Sequence, residues 1–228
     1  MRLALFSDIH GSLVGLRAVL EGIDRLGGAD RLCALSDLLL GGPDAETILT
    51  TLRDRDALLL RGNAEESVLD PRGSLARVPP QWRAYNQAIV AWTRGHLSGD
   101  ALALLAGLPL LVEVECAPGR RIALCHAAPA DPWARVCSPH APLPDLRAAY
   151  DGLDAAVVAY GHWHGNHVLP LDGKLLVNVA SVGLRRDSHS DFTMVEWADD
   201  RWIVRQHRVP HDAAGEADLM RARGVPTP

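Results

Sequence analysis

The chain has 228 residues, and 23 Lys plus Arg against 28 Asp plus Glu leave a formal balance of −5. Hydrophobic residues make up 48%, the ordinary globular level, so wholesale disorder is excluded and one large domain is expected. The acidic balance argues against a general nucleic-acid binder. No apolar run reaches the roughly 18 residues of a membrane helix, and no signal-peptide core fits the opening MRLALFSDIH.

The run LALF (3–6) reads as a buried strand. Residues 12–26 read as a helix capped by Ser12, with an apolar stripe of Leu13, Leu16, Val19, Leu20 and Ile23, ended by Gly27-Gly28. LCAL (32–35) is a second strand, Pro43 suits the first turn of a helix reaching about Leu52, and ALLL (57–60) is a third strand. Residues 67–107 read as a mostly helical insert. Trp82, Tyr85, Ile89 and Trp92 recur in it at helical spacing as a packing stripe, with a lid or a subunit contact as the alternatives. LLVEVE (110–115) and RRIALC (120–125) form a hairpin around Pro118-Gly119, and AAVVAY (155–160) is another strand. VLPL and KLLVNV flank the strong turn signal Asp172-Gly173, and DFTMVEW and WIVRQHRV close a last hairpin through ADDR. Alternating strands and amphipathic segments imply a layered α/β class in a single domain over 1–210, with 211–228 a loosely held tail or terminal helix. Cys33, Cys116, Cys125 and Cys137 form no C-x-x-C pair, so free thiols in a reducing cytoplasm are expected.

The chemistry-bearing residues fall just after apolar strands. LALFS leads to Asp8 and His10, LCALS to Asp37, LLLRG to Asn63, RIALC to His126, and VVAYG to His162 and His164. In α/β sheets ligands bind beyond the carboxyl ends of the strands, so five strand ends converge on one rim. An extended segment points residues i and i+2 to the same side, so the pairs Asp8/His10 and His162/His164 can each grip a single centre. Imidazoles, carboxylates and an amide oxygen suit borderline divalent transition metals. Seven groups exceed what one tetrahedral ion needs, so two ions are expected, with Asp37 the candidate shared carboxylate. A lone Asp after a strand is ordinarily a turn former, and His96, His140, His207 and His211 read as ordinary core or surface histidines. Convergence is what sets the seven apart.

The motifs SDIHG (7–11), SDLLLGGPD (36–44), GNAE (62–65), CHAAP (125–129), GHWH (161–164) and NVASVG (178–183) together resemble the calcineurin-like metallophosphoesterase superfamily, in particular its small bacterial predicted-phosphodiesterase branch. AWTRGHL and LAGLP (91–97 and 105–109) resemble that branch's helical insert. The resemblance implies a four-layer α-β-β-α sandwich of two facing mixed β-sheets flanked by helices. It implies that Asp8, His10 and His164 hold one divalent metal and Asn63, His126 and His162 a second, with Asp37 shared. The metals would be Mn, Fe, Ni, Co or Zn. The implied reaction is hydrolysis of a small phosphate ester, a diester before a monoester, by in-line attack of a metal-bridging hydroxide, with Asp37, Asn63 and His126 as catalytic residues.

Two positions depart from the family pattern. The motif's usual His after Asn63 is Ala64, which removes the usual leaving-group acid; His167 or His189 are candidates to replace it. Trp163 stands where a small Thr is common, either packing beside the rim or offering an aromatic ligand a stacking face. Arg186 is a candidate phosphate ligand or a solvated surface residue. Because of Ala64, a protein or dinucleoside-polyphosphate phosphatase ranks below a diesterase. A non-catalytic scaffold on this fold tends to lose metal ligands, and all seven positions are filled here. No membrane partner and no nucleic-acid surface are expected, and a homo-oligomer is left open.

Overall fold

The computed structural model describes residues 1–184 and 187–228. Strand β1 (Arg2–Phe6) is buried on both faces, Leu3 and Leu5 on one and Ala4 and Phe6 on the other, because successive strand side chains alternate. A strand apolar on both sides needs a packed layer on each. Helix α1 (Leu13–Arg25) covers one of them with Leu16, Val19, Leu20 and Ile23. The Ser12 hydroxyl caps α1 by accepting the Gly15 N–H at 3.1 Å, and the Gly28 N–H closes its end on the Ile23 carbonyl.

Strand β2 (Arg31–Ala34), helix α2 (Ala45–Asp54) and the two-residue strand β3 (Leu58–Leu59) follow. Pro43 does not open α2. Asp44 takes the N-cap position, so the proline lies two residues before the first helical residue. The third strand is shorter than ALLL suggests, pairing only through Cys33↔Leu58 and Ala34↔Leu59 at the sheet edge.

The helical region begins at Asn63, earlier than expected. Its helices are α3 (Asn63–Leu69), α4 (Pro71–Leu75), α5 (Arg83–Gly95) and α6 (Gly99–Gly107). The expected aromatic stripe is not the buried face of α5. Ile89, Val90 and Thr93 are buried, whereas Trp82 is 48% exposed and packs edge-on against Tyr85. Helix α5 packs on α3 and α4, and α6 joins the core through Ala101 and Leu105, which leaves the aromatics of the other α5 face toward the surface.

The remaining strands are β4 (Leu111–Ala117), β5 (Arg120–Cys125), β6 (Val157–Tyr160), β7 (Asn166–Leu171), β8 (Lys174–Val179), β9 (His189–Ala198) and β10 (Arg201–Pro210), with helix α7 (Leu143–Tyr150) before β6 and helix α8 (Ala213–Ala222) at the end. The turn Asp172-Gly173 has φ of +46° and +87°, the left-handed pair that joins β7 to β8. Two mixed five-stranded sheets result, β10-β9-β1-β2-β3 and β4-β5-β6-β8-β7. Leu3, Leu5, Cys33 and Leu35 meet Ile122, Leu124, Val157 and Val177 between the sheets. On the far side Ala123, Cys125, Val158 and Tyr160 pack on Leu146 and Tyr150 of α7, with the two tyrosine rings stacked at 5.6 Å. The layers therefore run helix, sheet, sheet, helix. Each fully buried Leu, Ile or Val contributes roughly 1.5–3 kcal/mol before chain entropy is subtracted. The C-terminal segment is a docked helix. The Arg223 guanidinium donates to the Pro43 carbonyl and to Asp44, and Val225 is buried.

Candidate metal centre

The segments after β1 and β2 continue side by side beyond their strands. The N–H groups of Asp8, His10 and Gly11 donate to the carbonyls of Ser36, Asp37 and Leu38 at 2.9–3.0 Å. This backbone zipper carries Asp8, His10 and Asp37 onto one rim. It demands glycine, because a Cβ on Gly11 would lie 2.4 Å from the Gly42 nitrogen and one on Gly42 would lie 2.1 Å from the Gly11 carbonyl oxygen.

The second sheet closes the site through the NVASVG segment. The Ser181 hydroxyl and Gly183 N–H donate to the Asp8 carbonyl, and the Val182 N–H to that of Ser7. The buried Asn178 amide donates to the Gly161 carbonyl at 2.6 Å, fixing the GHWH loop. The His162 N–H in turn donates to Asp8 Oδ2 at 3.0 Å.

All seven donor positions meet. Asp8, His10 and His164 present ligand atoms within 4.8 Å of one another, and so do Asp37, His126 and His162. Asn63 joins the second group, with Oδ1 2.8 Å from His126 Nε2. Asp37 lies between the groups, its Oδ2 3.7 Å from His10 Nε2 and 3.5 Å from His126 Nε2. The two His of GHWH therefore divide between the groups as the family resemblance implies, whereas of the two pairs that spacing alone allowed to grip a single centre only Asp8/His10 does so. The loops that carry these residues are not extended. Asp8, His10, Asp37, His162 and His164 all have φ between +49° and +64°. Side chains two apart then diverge or converge as the turns dictate. Five non-glycine residues held in a costly conformation at one site mark it as built for something other than stability.

The donor chemistry fits divalent cations. His10 Nδ1 lies 2.9 Å from the Leu40 carbonyl and His126 Nδ1 lies 3.3 Å from that of Leu35, so each Nδ1–H donates outward and each Nε2 faces inward. His126 Nε2 then faces Asn63 Oδ1, His162 Nδ1 at 3.0 Å and Asp37 Oδ2 together, a gathering of acceptors that one proton cannot satisfy. His10 Nε2 is buried without a hydrogen-bond partner among the described residues.

The electrostatics agree. Burial opposes ionisation of Asp8, but the imidazoles of His10 and His164 outweigh it and hold the carboxyl well below the usual range. Burial likewise opposes a charge on His10, yet Asp8 and Asp37 raise it to about 9. A cation ligated by this pair would have to displace that proton. His162 is pushed down to about 4 by burial and by the neighbouring His126, which keeps its ring a neutral donor.

Glu65 is a supporting residue that does not follow a strand directly and so carried no strand-end signal. It is buried, and its carboxylate accepts the N–H groups of Asp37, Leu38 and Gly62 at 2.9, 2.7 and 2.9 Å. Burial and the negative Asp37 raise its carboxyl to about 7 against the pull of those N–H groups. The readable signal was a Glu three residues after Gly62 at a helix start. Ala64 has a buried side chain, and its N–H holds Asp37 Oδ1 at 2.9 Å. The two candidates to replace the missing His point to other partners: His167 Nε2 lies 3.1 Å from the Tyr160 hydroxyl, and His189 Nδ1 lies 2.6 Å from the Asp187 carbonyl. Trp163 is 46% exposed, and its ring lines a pocket with His162. Arg186 lies outside the described residues. Arg77, Trp133 and Arg135, which also border the pockets at His162, carried no motif or periodicity that would mark them.

Residues 1–200 match the family model of the calcineurin-like phosphoesterase superfamily domain, and the chain belongs to that superfamily. It is 28% identical to the uncharacterized protein MJ0912 of Methanocaldococcus jannaschii over 92% of this chain and 88% of that protein. The crystal structure of the hypothetical protein PH1004 from Pyrococcus horikoshii has the same fold, with a TM-score of 0.84 at 16% identity over 99% of this chain and 94% of that one. A metallophosphoesterase from Sphaerobacter thermophilus superposes with a TM-score of 0.73 at 21% identity, covering 99% of this chain and 95% of that one.

Proposed function

We propose that this chain is a divalent-metal-dependent phosphoesterase acting on small phosphodiesters. Family membership supports the hydrolase class, and the observation that carries the reading is the pair of adjoining donor groups around Asp37. In this reading Asp8, His10 and His164 hold one cation, Asn63, His126 and His162 hold the other, and Asp37 serves both. Mn, Fe, Ni, Co and Zn all accept such ligands. Two cations there would lower the pKa of a shared water and neutralise phosphate oxygens.

The chain supplies the positioning. Glu65 and the Ala64 N–H keep Asp37 from swinging out of line, and the carbonyls of Leu35 and Leu40 fix the tautomers of His126 and His10. Asn63 lines the pocket beside His162 with Oδ1 turned to His126, which leaves its amide N–H groups to donate to a phosphoryl oxygen. The methyl of Ala64 has no proton to give, so diesters and anhydrides whose leaving groups need little protonation are the favoured substrates. The filled donor set speaks against a non-catalytic scaffold. The four buried free cysteines suit a reducing compartment such as the cytoplasm, and no described helix is long and apolar enough to cross a membrane.

The test is hydrolysis of bis(4-nitrophenyl) phosphate by chelator-stripped protein reloaded with each metal in turn. Metal-dependent turnover that Asp37→Asn abolishes is expected. A wild type inert toward diesters and monoesters with every metal would sink the reading.

A further inference from the structure

We infer that Arg135 is the phosphate-binding residue of the cleft, and that the pockets on its two sides each seat one substituent of a diester. The inference rests on the phosphoesterase reading and names the substrate contacts that reading leaves open.

Arg135 opens a short 3₁₀ turn (Arg135–Cys137) in the stretch between β5 and α7 and is exposed. It borders two pockets. One, of about 380 Å³, is completed by Asn63, Arg77, Pro79, Trp133 and His162. The other, of about 540 Å³, is completed by Cys137, Ser138, His162 and Trp163. Arg135 is thus a wall common to both, and both reach the candidate ligand His162. A monoester has one substituent to place and needs one pocket, whereas a diester has two.

The two arginines of the cleft differ in what their charge already does. The Arg77 guanidinium donates to Asp131 at 2.8 Å and lies over the Trp133 ring at 5.4 Å, so its charge is compensated and its place fixed. Trp133 is itself tied by its indole N–H to Glu66 at 2.7 Å. No described carboxylate lies within 4.0 Å of the Arg135 guanidinium, whose planar fork matches two phosphate oxygens. Each pocket also has an indole in its lining, Trp133 in one and Trp163 in the other, so each can receive a flat apolar group. Arg135 therefore presents an uncompensated positive charge where the phosphate of such an ester would sit, in a site whose motif lacks its usual His at Ala64.

The experiment is calorimetric titration of the metal-loaded protein with diphenylphosphinate and dimethylphosphinate, stable anions whose phosphorus–carbon bonds cannot be hydrolysed. Wild type binds the diphenyl anion more tightly. Arg135→Ala weakens both by roughly 10- to 100-fold, Arg135→Lys recovers part of the loss, and Trp163→Ala weakens only the diphenyl anion. Equal binding by wild type and Arg135→Ala overturns the inference, as does equal affinity of wild type for the two anions or failure to bind either. Turnover of bis(4-nitrophenyl) phosphate by the same preparations reads the hydrolase separately. Arg135-dependent binding by a protein inert toward diesters and monoesters with every metal leaves Arg135 an anion site but removes the phosphoesterase reading and the substrate contacts built on it; turnover unchanged in Arg135→Ala removes this inference alone.

Discussion

Glu65 holds Asp37 by its backbone. From the first turn of α3 its carboxylate accepts the Asp37 N–H at 2.9 Å, and the neighbouring Ala64 N–H grips the Asp37 carboxylate at the same distance. Asp37 has φ of +49°, so this clamp offsets a conformation the residue would leave if released.

Glu65→Gln retains the shape but turns an amide NH₂ toward backbone N–H donors. A loss of about 1–3 kcal/mol in urea unfolding is expected, together with a drop of about 10- to 100-fold in metal affinity. Unaltered values in both measurements would show that the clamp is not needed.

Gly161→Ala tests how closely the two sheets approach at the site. A Cβ there would stand 2.1 Å from Ser7 Oγ and 2.4 Å from Asp8 Oδ2. Overpacking of this kind costs roughly 1–3 kcal/mol, and both Ser7 and Asp8 must move. The midpoint of urea unfolding falls, and metal binding, measured by competition with a chromophoric chelator, weakens. A variant that binds metal like wild type would mean the loop relaxes instead.

Metal loading stabilises the folded chain. A ligand at 100 times its Kd contributes about 2.7 kcal/mol, so Tm rises on adding Mn²⁺ and falls back with chelator. Asp37→Asn and His126→Gln each shrink the rise. A Tm indifferent to every divalent metal would contradict the donor geometry.

The cysteines set a pH dependence. Burial raises the thiols of Cys33 and Cys137 to about 12 and lifts Cys125 as well. A thiol with a folded pKa above its unfolded value near 9 stabilises the fold fully below that pH and loses the contribution as pH climbs toward 12. Stability therefore declines above about pH 9, and a thiol reagent at pH 8 leaves Cys33, Cys125 and Cys137 unmodified until urea is added. Rapid modification of the native protein would refute the burial.

Much of the architecture was legible because it is written in local patterns. Ser12 before an apolar stripe, Asp172-Gly173 between two strands, and an Asp, Asn or His after each buried run are near-neighbour signals, and each led to the right element or the right rim. The failures have a common cause. Trp82 and Tyr85 recur at helical spacing, but periodicity does not say which helical face finds a partner. Pro43 is suited to a first turn, but Asp44 competes for the cap.

The sequence by itself determined which side chains stand at the strand ends as candidate ligands, because strand, turn and cap preferences depend on neighbours only a few residues away. Only the tertiary structure decided which contacts hold those side chains in two groups. His162 bonds through its backbone to Asp8, 154 residues distant, and that contact exists only where the two sheets lie face to face. The same packing sends His162 and His164 to different donor groups, bends five donor residues into left-handed backbone, and brings Arg77 and Arg135 to one cleft. Such relationships are set by how layers stack, which no window of adjacent residues contains.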